Sequence, residues 1–251
     1  MSAMDPKDFT PRPDELAGRV ILITGATGGF GRALCLRCAR AGATVVLAGR
    51  SAEKLGTLYD EIEAEGGPQP AMAVLDLATA AAADYDGLAA TIGAEFGRLD
   101  GLVHGAGLLG DRMPLEQYDV PTWCRVLHVN LTAPFILTQV LMPALRQAAD
   151  ASVIFVSSGV VRDQRPFWGA YAAAKTGLES VRSMLAQELE GTSNVRAYSI
   201  NPGRMRTRMR ASAYPAEDPN TLPAPAGVTG AFLYLLSGAS RGVSSGYFDA
   251  Q

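Results

Sequence analysis

The stretch that decides the fold is VILITGATGGFG, residues 20–31, which runs directly into RALCLRCARA, residues 32–41. The apolar run predicts a strand and the pattern after the glycines predicts a helix, so the glycine-rich turn joins the two. Gly25 permits the tight turn, Gly29 lets the backbone approach a pyrophosphate, and Gly31 allows close packing of helix on strand. The helix N-terminus adds free N–H groups and positive potential. We therefore expect a dinucleotide site formed by Gly25, Thr27, Gly28, Gly29, Phe30 and Gly31.

Short apolar, β-branched runs recur along the chain between longer amphipathic stretches. They lie at Arg19–Thr24, Thr44–Ala48, Ala71–Leu75, Gly101–His104, Ser152–Val156 and Val195–Ile200, with a last one near Ser245–Asp249. This alternation predicts an α/β fold of the Rossmann type, a doubly wound parallel sheet of about seven strands with helices on both faces. The strands are almost continuously apolar, as expected where both faces of a sheet are covered.

The chain organisation follows from the same pattern. Residues 18–251 are expected to form a single Rossmann-type catalytic domain, preceded by a short, loosely held N-terminal arm, residues 1–17. A stretch at about residues 204–225 is too long for an ordinary connection. Because it follows the sixth strand, it is expected at the carboxyl end of the sheet, where ligands of open α/β folds bind. We interpret it as a substrate lid, with a disordered segment as the alternative.

Composition limits the classes of partner. The 251 residues carry a net charge of −3, without the basic excess that nucleic acid or anionic membranes require. The first seventeen residues contain neither a secretory signal nor a membrane-spanning run, so a cytoplasmic protein is expected. Cys35, Cys38 and Cys124 have no second pair to complete a metal site and are interpreted as small buried thiols. His104 and His128 have no accompanying carboxylate pair, so no metal is predicted.

The cofactor preference is indicated by VLAGRS, residues 46–51, at the end of the second strand. A fold that selects NAD normally presents an acidic side chain here to the ribose 2′-hydroxyl. This chain has Gly49 and then Arg50, whose guanidinium suits a 2′-phosphate. NADP(H) is therefore predicted over NAD(H), with a solvated arginine at the start of a helix as the alternative.

Polar side chains that could carry chemistry follow the predicted strands. Tyr171 and Lys175 lie four residues apart, on one face of a predicted helix. Ser158 ends an apolar strand thirteen residues before Tyr171, and Asn130 lies in the long helical stretch before that strand. These four groups are expected near the carboxyl ends of the strands.

From residue 20 to residue 249 the chain resembles the short-chain dehydrogenase/reductase family. The motifs occur in the order Thr24-Gly25-x-x-x-Gly29-x-Gly31, Asp76-Leu77, Ala106-Gly107, Asn130, Ser158, Tyr171, Lys175 and Pro202-Gly203 with Thr207. Residues 168–171, 209–213 and 248–251 resemble a bacterial subgroup of oxidoreductases whose substrate is unassigned. The resemblance implies further cofactor contacts from Asp76, Leu77, Ala106, Gly107, Tyr171, Lys175, Pro202, Gly203 and Thr207. It also implies a homo-oligomer, a tetramer or dimer.

The resemblance assigns a role to each polar group. Tyr171 would be the general acid/base for a carbonyl or alcohol substrate, with its phenol pKa, ordinarily about 10, lowered by Lys175 and the positive nicotinamide. Ser158 would hydrogen-bond the carbonyl oxygen, Asn130 would hold a water that connects Lys175 to solvent, and Lys175 would bind the nicotinamide ribose. Gly105 stands where the family usually has asparagine, which is expected to soften the contact of that strand with its neighbours.

Two questions of function stay open. Arginines in the loops that should line the substrate pocket could recognise an anionic substrate or simply be solvated; they are Arg162, Arg165, Arg204, Arg206, Arg208 and Arg210. A non-catalytic NADP(H)-binding sensor is the alternative to an enzyme, because folds of this type also serve proteins without activity. The complete set of Asn130, Ser158, Tyr171 and Lys175 favours the enzyme.

Overall fold

The computed structural model describes residues 5–251, which contain one seven-stranded, wholly parallel sheet. Its strands are β1 (Val20–Thr24), β2 (Thr44–Gly49), β3 (Ala71–Val74), β4 (Gly101–His104), β5 (Ala151–Val156), β6 (Val195–Asn201) and β7 (Tyr247–Asp249). They are arranged in the order β3-β2-β1-β4-β5-β6-β7. The expected α/β fold with a seven-stranded parallel sheet is confirmed.

Helices cover both faces of this sheet. They are α1 (Gly29–Arg40), α2 (Ala52–Ala64), α3 (Ala82–Phe96), α4 (Val120–Leu127), α5 (Ala133–Gln147), α6 (Gly169–Leu189), α7 (Arg208–Ala213) and α8 (Thr229–Leu236). Side chains of α1, α2 and α8 form one apolar layer, and those of α3, α5 and α6 form the other. The strand order reverses between β1 and β4, which is where open α/β sheets bind their ligands.

Burial of the strands explains their apolar sequences. Every residue of β1 is buried, with Ile21 packed in one layer and Leu22 in the other. Successive side chains of a strand point to opposite faces, so a strand covered on both sides is apolar throughout. The edge strand β3 differs, because Met72 and Val74 are exposed on its outer side.

The N-terminal arm packs more firmly than its sequence suggests. Leu16 is fully buried and its N–H donates to the carbonyl of Ala41 at 2.8 Å. The ring of Phe9 lies 5.2 Å from that of Tyr234 on α8. These two apolar anchors hold residues 5–17 on the sheet domain, in contrast to the expected loose arm, whose first four residues lie outside the described range.

The thiols and the longest apolar helical stretch belong largely to the interior. Cys35 and Cys38 are buried on α1, and burial raises the pKa of Cys38 to about 12, whereas Cys124 is exposed, contrary to expectation.

Residues 120–147 are long and apolar enough to cross a membrane by length and composition alone. In this fold, however, Leu137 and Leu141 of that stretch are fully buried in the layer against the sheet.

Gly31 has no room for a side chain. Gly25 adopts a left-handed conformation with φ of +71°, and a Cβ on Gly31 would overlap the Gly25 carbonyl. We expect Gly31→Ala to lower the free energy of unfolding by about 1–3 kcal/mol, because overpacking forces backbone shifts. Gly93→Ala, on α3 with nothing near its added methyl, is the matched control and should stabilise by about 0.5–1 kcal/mol. Urea unfolding of both variants checks this; an unchanged Gly31→Ala protein would contradict the packing.

Candidate active site

A cavity of about 430 Å³ opens at the carboxyl ends of the central strands. It is lined by all the residues expected to contact the cofactor, namely Gly25, Thr27, Gly28, Gly29, Phe30, Gly31, Arg50, Asp76, Leu77, Ala106, Gly107, Tyr171, Lys175, Pro202, Gly203 and Thr207. Ser158 lines it as well. Asn130 is the one predicted site residue that does not.

The Thr24 side chain connects the glycine turn after β1 to the loop after β4 by hydrogen bonds. The sequence pattern assigns no role to this side chain. The Thr24 hydroxyl donates to the Val103 carbonyl at 3.3 Å and accepts from the Ala106 N–H at 3.1 Å. A Cβ on Gly105 would come within 2.8 Å of the Thr24 carbonyl oxygen. This backbone therefore has little space for the family's asparagine, and Thr24 provides the contact between the two strand ends.

Arg50 stands at the far end of the cavity, beyond β2. Its side chain is exposed, and within residues 5–251 no carboxylate pairs with it. Asp76 lies on the neighbouring strand end, where one carboxylate oxygen accepts from the Ala78 N–H at 3.0 Å and closes the turn. The guanidinium of Arg50 thus remains available to an anionic ligand.

Helix α6 and strand β5 bring the other polar groups together. Tyr171 is 8% exposed in the first turn of α6, and Ser158 lies two residues after the end of β5. One helical turn beyond Tyr171, the Lys175 ammonium donates to the Val156 carbonyl at 2.6 Å. The ammonium lies 5.8 Å from the centre of the Tyr171 ring.

The pKa values of this pair are governed by burial. Burial raises the pKa of Tyr171, and the Ser158 hydroxyl acts in the opposite direction. Burial also lowers the pKa of Lys175 to about 8, against the effect of Glu179. For the chain alone, without the nicotinamide charge that entered the expectation together with Lys175, the Tyr171 pKa is raised rather than lowered, because desolvation of the phenol dominates. At neutral pH Tyr171 holds its proton.

Asn130 supports the cavity wall from behind. It is fully buried in a π-helical turn, His128–Thr132, between α4 and α5. Its side-chain oxygen accepts from the Leu108 N–H at 2.8 Å, and its amide donates to the Leu108 carbonyl at 2.7 Å. The side chain thus fixes the loop that carries Ala106 and Gly107. Both of its polar groups are engaged by Leu108 rather than turned toward Lys175.

His104 is a structural residue at the end of β4. Its Nε2 lies 2.8 Å from the hydroxyl of Thr138, which itself donates to the Pro134 carbonyl, so the histidine is the donor of this pair. The ring stacks on Phe155, and burial lowers its pKa to about 3. Across residues 5–251, no group of three or more His, Cys, Asp and Glu side chains is placed to hold a metal ion.

The predicted substrate lid is partly helical, and one of its arginines, Arg210, forms an ion pair with Glu217. It contains α7 and packs Met205 and Ala213 against the cavity. Three of the six loop arginines pair with carboxylates; the pairs are Arg162–Asp249, Arg165–Asp163 and Arg210–Glu217. The other three arginines of that set, Arg204, Arg206 and Arg208, form no ion pair among the described residues.

A second cavity of about 330 Å³ lies next to this segment. It is lined by Ser158, Trp168, Tyr214 and Arg204, among others.

An aromatic and cationic stack outside the sequence prediction borders the same space. Arg112 lies over the rings of Trp168 and Tyr214, with its guanidinium carbon 4.9 Å and 5.1 Å from their centres, and donates to the Ala213 carbonyl. Leu108 and Leu109 add apolar wall. The two leucines could have been inferred from their position directly after Ala106-Gly107, whereas no local pattern marks Arg112.

A Rossmann sheet with this glycine turn at one end of the cavity and a buried tyrosine–lysine pair at the other is the framework of a dinucleotide-dependent oxidoreductase. The family model for short chain dehydrogenase matches residues 19–218, and the chain belongs to this family.

Several relatives extend the likeness over nearly the whole chain. The uncharacterized oxidoreductase YciK of Escherichia coli K12 is 43% identical over 243 residues, 97% of this chain and 96% of that protein. A short chain dehydrogenase structure from Pseudomonas syringae is 46% identical, with a TM-score of 0.95 over 97% of this chain and 99% of that one. Another, from Escherichia coli CFT073 and complexed with NADPH, is 44% identical, with a TM-score of 0.93 over 96% of this chain and 100% of that one.

Proposed function

We propose that the protein is an NADP(H)-dependent oxidoreductase that transfers a hydride between nicotinamide and a carbonyl or secondary-alcohol substrate. The observation that carries the proposal is one cavity lined by the glycine turn, Arg50, Ser158, Tyr171 and Lys175. A binding protein without catalysis has no need of a buried phenol, ammonium and hydroxyl at the position where chemistry would occur.

The residues present fit a dinucleotide carrying a 2′-phosphate. The glycine turn at the start of α1 offers backbone N–H groups to the pyrophosphate, and Arg50 offers an unpaired guanidinium to the 2′-phosphate. Asp76, Leu77, Ala106 and Gly107 would bind the adenosine half. Pro202, Gly203 and Thr207 would bind the nicotinamide half. The NADPH complex of the relative from Escherichia coli CFT073 supports this choice of cofactor.

The chain's own groups would act on the substrate oxygen. Ser158 would donate a hydrogen bond to a carbonyl oxygen, and Tyr171 would give it a proton as the bound nicotinamide supplies the hydride. Lys175 would bind the ribose and stabilise charge beside the phenol. The same Tyr171 would accept the proton of an alcohol in the oxidative direction, so these roles apply to both directions of the reaction.

The test is oxidation of NADPH and of NADH by the purified protein with a panel of ketones, aldehydes, diketones, quinones and acyl thioesters. We expect NADPH oxidation that depends on a carbonyl substrate with an apolar flank, which Trp168 and Met209 would contact. Anionic and neutral members of one ketone series are compared at low and high salt. Arg204, Arg206 and Arg208 form no ion pair among the described residues, so they are free to attract an anionic substrate, and salt would weaken that attraction. Tight NADPH binding without turnover of any compound, in either direction, would favour the sensor instead.

The proposal includes a homo-oligomer, a dimer or tetramer, in the cytoplasm. Phe135 of α5 and Met184 of α6 are 48% and 54% exposed, an apolar surface suited to a second copy. The three cysteines are free, as expected in a reducing compartment. Light scattering of the eluted protein gives the oligomeric state.

A further inference from the structure

Helix α6 carries a carboxylate at the same spacing as its tyrosine and lysine. Tyr171, Lys175 and Glu179 follow one another at intervals of four residues and therefore share a face of the helix. The Glu179 side chain is 15% exposed, and its carboxylate accepts a hydrogen bond of 2.6 Å from the Ser157 hydroxyl. Ser157 directly precedes Ser158.

The end of β5 is thus attached to α6 at successive residues. The Val156 carbonyl accepts from the Lys175 ammonium, and the Ser157 hydroxyl donates to Glu179. Ser158, the next residue, enters the cavity beside Tyr171. The Ser157 N–H also donates to the Ile200 carbonyl at 2.8 Å. Because Ser157 and Ser158 are adjacent, a shift of Ser157 on loss of the Glu179 contact would move Ser158 with it.

The Glu179 carboxylate acts against the effect of burial on the pKa of Lys175, which burial lowers. Lys175 is 4% exposed, and within the described residues no carboxylate lies at ion-pair distance from its ammonium. His104 of β4 and Tyr171 of α6 also face it, and both are uncharged at neutral pH. Glu179 favours the charged lysine across one helical turn.

Two further side chains, Arg182 and Tyr247, surround the Glu179 carboxylate. Arg182, one turn further along α6, lies 3.7 Å from the carboxylate. Tyr247 of β7 faces it from the opposite side as a neutral phenol, whose pKa is raised by burial.

We propose that Glu179 is a positioning residue of the active site, which holds Ser157 and thereby Ser158 in place and keeps the buried Lys175 in its ammonium form. This inference rests on the proposed function for its effect on turnover, but its effect on Lys175 can be measured without any substrate.

The chain offers an unusually direct measurement, because its only lysines are Lys7, Lys54 and Lys175. Isotopically labelled lysine therefore gives three side-chain NMR signals, and the signal absent from Lys175→Arg is that of Lys175. Titration of this signal is compared in the wild type, Glu179→Gln and Ser157→Ala. The glutamine keeps an oxygen that can accept from Ser157 and removes the charge, whereas the alanine removes the hydrogen bond and keeps the charge.

In the wild type the signal is expected to titrate with a pKa of about 8. Glu179→Gln should lower this pKa by about one pH unit, because an opposite charge has been removed, and Glu179→Asp should restore most of the difference. Ser157→Ala should leave the Lys175 pKa unchanged. An unchanged titration in Glu179→Gln would overturn the charge role.

Turnover supplies the second readout. In Glu179→Gln the alkaline limb of the pH profile of NADPH-dependent reduction should move to lower pH with the NMR titration. In Ser157→Ala, kcat should fall about tenfold, with the affinity for NADPH unchanged, because Ser158 is displaced; full kcat in Ser157→Ala would overturn the positioning role. If the wild type reduces no substrate but the Lys175 titration shifts as stated, the proposed function fails while the charge role of Glu179 stands.

Discussion

Replacement of Tyr171 by phenylalanine is expected to lower kcat for carbonyl reduction by about 10³-fold, the scale of a lost general acid. The phenol is buried, lines the cavity with Ser158 and Lys175, and would be the proton donor of the proposed reaction. Phenylalanine preserves the aromatic ring, whose centre lies 5.8 Å from that of Trp168, so the helix start and the pocket wall should remain in place. Single-turnover oxidation of bound NADPH, monitored with and without substrate, measures the effect.

The matched control is Tyr214→Phe. Tyr214 belongs to the second cavity and its hydroxyl contacts Arg165 at 3.3 Å, but it lies outside the lining of the main cavity. This variant should keep kcat within about threefold and change mainly KM. Retention of more than a tenth of wild-type kcat in Tyr171→Phe, with NADPH affinity intact, would remove Tyr171 from the chemistry.

Replacement of Arg50 by alanine is expected to raise the Kd for NADPH tenfold to a hundredfold and to leave the Kd for NADH unchanged. A hydrogen bond to a charged group contributes about 1.5–3 kcal/mol, and only NADPH carries the 2′-phosphate that Arg50 would bind. The guanidinium has no carboxylate partner among the described residues, so no internal ion pair is lost on substitution. Fluorescence titration of both cofactors gives the two constants.

Lys54→Ala separates a specific contact from general electrostatic attraction. Lys54 is an exposed cation in the first turn of α2, close in sequence to Arg50, and it lies outside the cavity lining. Its loss should weaken NADPH binding less than twofold at physiological ionic strength. Equal weakening of NADPH and NADH by Arg50→Ala would exclude recognition of the 2′-phosphate.

The fold was predictable because its main signals are local. Strands buried on both faces are apolar throughout, and the turn at residues 25–31 requires glycine where the helix meets the strand, as the Gly25 and Gly31 contacts demonstrate. The cavity residues were predictable for a related reason. Parallel strands all end at one edge, so polar and glycine residues after successive strands must meet there.

What the sequence did not reveal depends on contacts between distant segments. The pairing of Arg162 with Asp249 joins residues 87 positions apart, and nothing near Arg162 indicates it. Asn130 binds Leu108 through a loop whose path is set by tertiary packing. The raised Tyr171 pKa of the chain alone reflects how deeply the phenol is buried, a property of the folded site that the sequence does not give, whereas the expected lowering came from Lys175 together with the nicotinamide charge.

The proposed reaction transfers a hydride between nicotinamide and a substrate carbon. The most direct test uses NADPH carrying deuterium on one face of the nicotinamide ring, each stereoisomer in turn, with the best carbonyl substrate of the panel and mass analysis of the alcohol. We expect one deuterium on the carbinol carbon from one stereoisomer only, and almost no alcohol from Tyr171→Phe. Alcohol without deuterium from either stereoisomer, or NADPH bound with no carbonyl reduced, would contradict it.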